Sequence, residues 1–240
     1  MISSVVNAAS LAPVITPGAV VLIGGSSLGP TTSHAIDKIG VYPTTLGNMS
    51  VTFNGIPAAL MSSSPKGIQA VASYGIADAA EAQVVVTHQR EFAGVERSSS
   101  AFSVPVTGVS LGIFNKAQSA ERLNWIQNCD ANGCTPNSAD NPAPRGSIIT
   151  IFATGVAPWA GPSVDGAINI VPRSRFSDAG LSIGGQPAWI LWAGTAPYQV
   201  WGVFQVNALV PENIVSGPQA VVLTIDQETN VTQPVTVVVQ

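Results

Sequence analysis

The chain has 240 residues, of which 46% are apolar and 9% charged, and its nine basic and thirteen acidic side chains give a formal charge of −4. So low a charged share, against roughly 25% in ordinary soluble domains, with no window rich in Lys or Arg, excludes a nucleic-acid partner and leaves a surface of Ser, Thr, Asn, Gln and Gly. No apolar run reaches the roughly 18 residues of a membrane span, and 23 Gly with 18 Pro point to an all-β chain with many turns.

In chain order, ISSVV (residues 2–6) reads as an opening strand, and a loop leads to PGAVVLIGGSSLGP at residues 17–30. That stretch returns as PRGSIITIFATGVAP at residues 144–158, with Gly18 and Gly146, and again Pro30 and Pro158, 128 residues apart. Both copies are β-branched runs opened by Gly and closed by Pro, which reads as a strand with punctuated ends. Alternation assigns Val21, Ile23, Ile149 and Ile151 to core faces.

Residues 31–48 form a long connection. SVTFNGIPAALM then gives a strand, an Asn54-Gly55 turn and a second strand, a hairpin signal repeated in LSIGGQPAWILW at an offset of 130. GIQAVASYGI matches VFQVNALVP when Gln69 is set on Gln205. AQVVVTHQ and PQAVVLTID follow as strands, and SAFSVPVTG and TQPVTVVVQ close the two copies. Pro105 aligns with Pro234, which places the closing strands at sheet edges, since Pro cannot donate to a ladder. About seven strands per copy imply two tandem β-sandwich domains, residues 1–107 and 108–240, joined near 106–112, with a Cys-containing insertion near 116–135.

The order of these motifs resembles the IPT/TIG type of immunoglobulin-like domain. Over nearly the whole chain it resembles the Solibacter-type C-terminal module of acidobacterial secreted proteins. The residues that carry the likeness are NAAS at 7–10, NPAPRG at 141–146, IFATG at 151–155, IGG at 183–185, the run from Ala196 to Asn207, and VTVVVQ at 235–240. The resemblance implies two immunoglobulin-like sandwiches and no assigned activity. The departure from the family pattern is AERLNWIQNCDANGCT, where a short Asn- and Gly-containing loop is usual. Met1 leads straight into a strand with no basic start and no separate apolar segment, so the expectation is a mature or excised part of an extracellular or cell-surface protein.

Candidate chemistry is sparse. Ser27 sits in Gly25-Ser26-Ser27-Leu28-Gly29, which fits the G-x-S-x-G elbow of hydrolases, but its repeat partner is Gly155, so the position serves a turn that needs no hydroxyl. His34 and His88 read as surface histidines, and the aspartates are scattered singly. Cys129 and Cys134 read as a local disulfide rather than zinc ligands. Asp130-Ala131-Asn132-Gly133 reads as an Asx turn ahead of a calcium loop, because the distal carboxylate is missing. No cofactor and no metal are expected.

All five Trp lie in the second copy. Alternation in AWILW sets Trp189 with Leu191 on one face and Ala188, Ile190 and Trp192 on the other, so one apolar face needs a cover: the first domain, another protein, or a sugar ring stacked on indole. Trp189, Trp192, Tyr198 and Trp201 are therefore the candidate ligand or interface residues. The expected function is a non-enzymatic structural or adhesive module, with protein partners or self-association through edge strands into a fibre. A carbohydrate-binding module using the Trp-rich hairpin is the alternative, and a hydrolase using Ser27 comes third.

Overall fold

The computed structural model describes residues 1–33, 40–89, 96–115, 126–157, 164–174, 179–225, 227–229 and 233–240. His34, Trp125 and Trp159 lie outside them. Among the described residues the chain is all-β, and its one helical element is the 3-10 turn Tyr74–Ile76.

Four sheets form, two from each copy of the repeat. In the first copy, one sheet runs Ile2–Asn7, Val20–Gly25, Gly67–Val71, Ala59–Ser63, Thr32–Ser33. The other runs Glu96–Ser98, Glu81–Gln89, Met49–Phe53, Thr45–Leu46, with Phe102–Pro105 also on Glu81–Gln89. In the second copy, one sheet runs Gly133–Pro136, Ile126–Asp130, Ile148–Val156, Val203–Leu209, Ile190–Thr195, with Val109–Ile113 also on Ile148–Val156. The other centres on Gly217–Ile225, flanked by Ala179–Ile183 and Thr236–Val239.

Each copy has its own apolar core between its two sheets. Val21, Ile23, Val51, Phe53 and Val84 belong to the first, and Ile149, Ile151, Val206, Leu223 and Val237 to the second. All four residues assigned to core faces by alternation are fully buried. Period two works here because each strand turns one face to its own core.

Cross-strand register gives the repeat a sharper form than sequence alignment. Val20 pairs with Val71 and Ile148 with Leu209, so Gln69 corresponds to Asn207, two residues from the expected Gln205. A slip of two preserves which face each side chain takes, which is why the pattern did not reveal it. Pro105 pairs with Glu81 in a strand, whereas Pro234 precedes its strand, so those two prolines do not coincide. The closing strands do lie at the margins, but a single parallel bridge covers part of each: Ile15 beside Val106, and Ala143 beside Val239.

The expected hairpins are shorter than predicted. Asn54-Gly55 and Gly184-Gly185, all with positive φ, make the two tight turns. Pairing continues only to Pro57 and Pro187, after which the chain crosses to the opposite sheet. There each copy carries an irregularity, between Leu60 and Ser62 and between Ile190 and Trp192. An extra residue on one strand reverses the alternation beyond it.

The two copies pack against each other through a third apolar cluster. Ala8, Ala9, Val20, Ala59, Met61 and Val71 of the first meet Phe114, Ala196, Val200 and Val203 of the second. Polar groups close the joint. Thr154 Oγ1 donates to the Gly202 carbonyl at 2.7 Å and accepts the Val20 amide at 3.0 Å. Asn7 Nδ2 donates to the Ser110 carbonyl at 2.8 Å, while Asn7 Oδ1 accepts the amides of Ala9 and Ser10. Gln233 Nε2 ties the carbonyls of Ala9 and Ile113 together, both at 2.7 Å. A Cβ at Gly202 would run into the Gly18 carbonyl oxygen, so backbones meet there directly.

Candidate functional site: the open face of the second copy

The repeat makes one comparison possible that no single sheet offers. Positions Val20, Ala59 and Val71, on the outward face of the first copy's sheet, are fully buried beneath the second copy. Register and the twin turns place Ile148, Trp189 and Leu209 at the same positions of the second copy. There the face is open: Trp189 is 72% exposed, Leu191 beside it is 44% exposed, and Ile148 and Leu209 are half-buried.

The irregularity after Ile190 shapes this face. Ile190 sits opposite Ala208 and points into the core, yet Trp192 pairs with Asn207, an outward position. Leu191 is the extra residue, and it moves Trp192 off Ile190's face and onto the side Trp189 occupies. The predicted split of Trp189 and Trp192 onto opposite faces is thereby corrected.

Beside the indoles runs a cross-strand row of polar side chains. Gln127 pairs with Thr150, Thr150 with Asn207, and Asn207 with Trp192. Asn207 Oδ1 accepts from Thr150 Oγ1 at 3.0 Å and from Gln205 Nε2 at 2.9 Å. Two donors on one oxygen fix the amide plane, and among the described residues Asn207 Nδ2 has no partner, so a donor is held facing outward at no ordering cost. Gln205 and Asn207 were not singled out from sequence. Their signal was the alternation of QVN, in which Val206 goes inward and its two amide neighbours outward.

The other two candidate aromatics lie elsewhere. Tyr198 is exposed in the turn between Ile190–Thr195 and Val203–Leu209, with φ of 58°. Trp201 sits in the same connection under the Arg173 guanidinium, whose central carbon lies 5.3 Å from the indole centroid, a cation–π contact. Trp189 and Trp192 thus belong to the sheet and Tyr198 and Trp201 to the connection that follows.

Cys129 and Cys134 are bonded, and they face each other across a β-hairpin rather than in a loop. Their Cα atoms are 4.1 Å apart, the spacing of a non-hydrogen-bonded antiparallel pair. Asp130 Oδ1 accepts the Asn132 amide at 2.7 Å, the expected Asx turn. The hairpin extends the sheet beside Ile148–Val156 and covers an open cavity of about 580 Å³. Among the described residues, no group of three or more His, Cys, Asp and Glu side chains is arranged to hold a metal.

Ser27 has φ of 54° in the bend after Val20–Gly25, whereas its repeat partner Gly155, with φ of 90°, lies inside the strand Ile148–Val156, so the two positions share a positive φ but not the turn expected from the repeat. Ser27 and His88 line one cavity of about 500 Å³. The His88 ring is engaged through Nε2 by the Leu28 carbonyl. No carboxylate among the described residues lines that cavity to complete a triad.

The fold class these features define is an all-β protein of several packed sheets. No family model and no curated protein matches the chain. Among solved structures, it is similar to the Bacteroides ovatus mixed-linkage glucan utilization locus SGBP-B in complex with a mixed-linkage heptasaccharide. The likeness has 13% identity and a TM-score of 0.34, and covers 95% of this chain and 43% of that one, so the chain spans less than half the length of that protein.

Proposed function

We propose that the chain is a non-enzymatic extracellular or cell-surface adhesive module, built as two tandem immunoglobulin-like sandwiches of the Solibacter-type kind, and that it holds a carbohydrate on the open face of its second copy. The observation that carries this is the placement of Trp189 and Trp192 beside an oriented Asn207 amide on an open face whose counterpart in the first copy is buried. Indole offers a flat apolar surface to the C–H face of a sugar, and side-chain amides both donate to and accept from hydroxyls. The polar, weakly charged surface suits a neutral glycan.

Glycan-array screening followed by calorimetry on neutral polysaccharides tests it. Trp192→Ala and Asn207→Ala are expected to lose binding while the chain stays folded, and Trp201→Ala retains it. Binding that survives both Trp189→Ala and Trp192→Ala removes this face from consideration, and absence of binding to any glycan removes the carbohydrate reading.

Self-association is a second reading, favoured by the burial of the twin face inside the chain: what covers Ala59 and Val71 in the first copy has its counterpart in another molecule for Trp189 and Leu209. Repetition of one surface against another is how head-to-tail assemblies arise. Concentration-dependent sedimentation abolished by Trp189→Glu supports it, and a monomer at every concentration refutes it. Strand donation at the closing strands has less support, because Ile15 and Ala143 already occupy part of those margins.

A further inference from the structure

The cavity at Ser27 lies in the first copy, away from the open face, and is built from a different chemistry. Arg97 stands directly opposite His88 in the antiparallel pair of Glu96–Ser98 with Glu81–Gln89. Directly opposed residues of an antiparallel pair share a face, so the Arg97 guanidinium stands on the same side of the sheet as the His88 ring. Arg97 is exposed and, among the described residues, makes no hydrogen bond or ion pair, and no carboxylate lines the cavity.

Hydroxyl donors surround the pair. Ser99 Oγ accepts the Val86 amide at 3.2 Å, which leaves its own proton to donate, and Ser100 lines the same wall. Across from them stands Ser27, exposed, its amide and hydroxyl without partners among the described residues. The amides on either side, of Ser26 and Leu28, are taken up by the carbonyls of Met1 and Pro65. A serine with left-handed φ bears a conformational cost, and strain of this kind collects at ligand sites.

We propose that this cavity is a binding site for an oxyanion-bearing ligand: a carboxylate, sulfate or phosphate group held by the Arg97 guanidinium, the Ser99 and Ser100 hydroxyls, and the Ser27 amide and hydroxyl. Guanidinium presents a planar fork that matches two oxygens of such a group, and hydroxyl and amide groups without partners can donate to the others. The volume suits a small molecule or one terminal sugar unit. The site binds; Ser27 is given no bond-forming role.

The test is calorimetric titration of the whole chain with sodium sulfate, inorganic phosphate and glucuronate at fixed ionic strength. Saturable binding of at least one is expected, weakened about tenfold or more by Arg97→Ala. Ser27→Gly accommodates the left-handed φ and is expected to weaken binding by removing the hydroxyl alone. Arg173→Ala, in the other copy, is expected to leave it unchanged. Which of the three anions binds tells a carboxylate from a sulfate or phosphate source. No saturable binding, equal binding in Arg97→Ala at unchanged melting temperature, or equal loss in Arg173→Ala overturns the proposal.

Discussion

Asp165 of the second copy accepts the Tyr74 amide on Oδ1 at 2.8 Å and the Ser73 hydroxyl on Oδ2 at 2.6 Å, capping the 3-10 turn of the first copy from across the joint. Ser73 Oγ in turn accepts the Gly75 amide at 3.2 Å. One carboxylate therefore organises the turn that carries Tyr74 and ties the two copies together. Hydrogen bonds to a charged group contribute about 1.5–3 kcal/mol each before solvent exposure is discounted. Asp165→Ala is expected to lower stability by about 2 kcal/mol in urea unfolding, and to hasten proteolysis within residues 106–108, between the two copies.

Tyr74 itself is half-buried with its ring against Gly18, and among the described residues its buried hydroxyl has no partner. Burial first, and the Asp165 carboxylate second, raise its pKa far above the ordinary phenol value of 10.0. A group whose folded pKa is raised binds its proton more tightly when folded, so its contribution is complete below about pH 10 and is lost as pH climbs past that value. Alkaline titration of stability is expected to show this loss. Tyr74→Phe removes an unsatisfied buried hydroxyl, so it is expected to hold or raise stability at pH 7 by up to about 1 kcal/mol and to flatten the alkaline decline.

Reducing the Cys129–Cys134 bond is expected to cost about 2 kcal/mol at most by the chain-entropy estimate for so short a loop. Because the hairpin lies at the end of its sheet, the loss is local. Hydrogen exchange after reduction is expected to quicken within Ile126–Asp130 and Gly133–Pro136 while Val203–Leu209 stays protected.

Ile149→Ala is expected to cost roughly 2–5 kcal/mol, since Ile149 is fully buried between the sheets of the second copy. Trp192→Ala, on the open face, is expected to cost under about 1 kcal/mol. Equilibrium denaturation of the pair separates a side chain that builds the fold from one that the fold presents.

Much of the fold was legible because its signals are local. The opening Gly, the β-branched alternation and the two positive-φ turns each depend on a few neighbouring residues, and they recur at matched positions in both copies. The motifs that carried the family resemblance have structural work in the folded chain. Asn7 closes the joint, Gly202 lets two backbones meet, and Arg145 Nε donates to the Ile214 carbonyl at 2.8 Å.

The candidate site was half legible. The sequence by itself determined an all-β chain with an internal repeat, the residues of its two cores, and the crowding of indoles into the second copy, because periodicity and composition are properties of the chain alone. Tertiary structure decided which surfaces stay open. One extra residue after Ile190 turned Trp192 outward. Packing of one copy on the other buried Ala59 and left Trp189 free. Antiparallel pairing brought Arg97 opposite His88, and both within reach of Ser27. Each of these depends on contacts between residues far apart in the chain, and a two-residue slip in register leaves the local pattern unchanged.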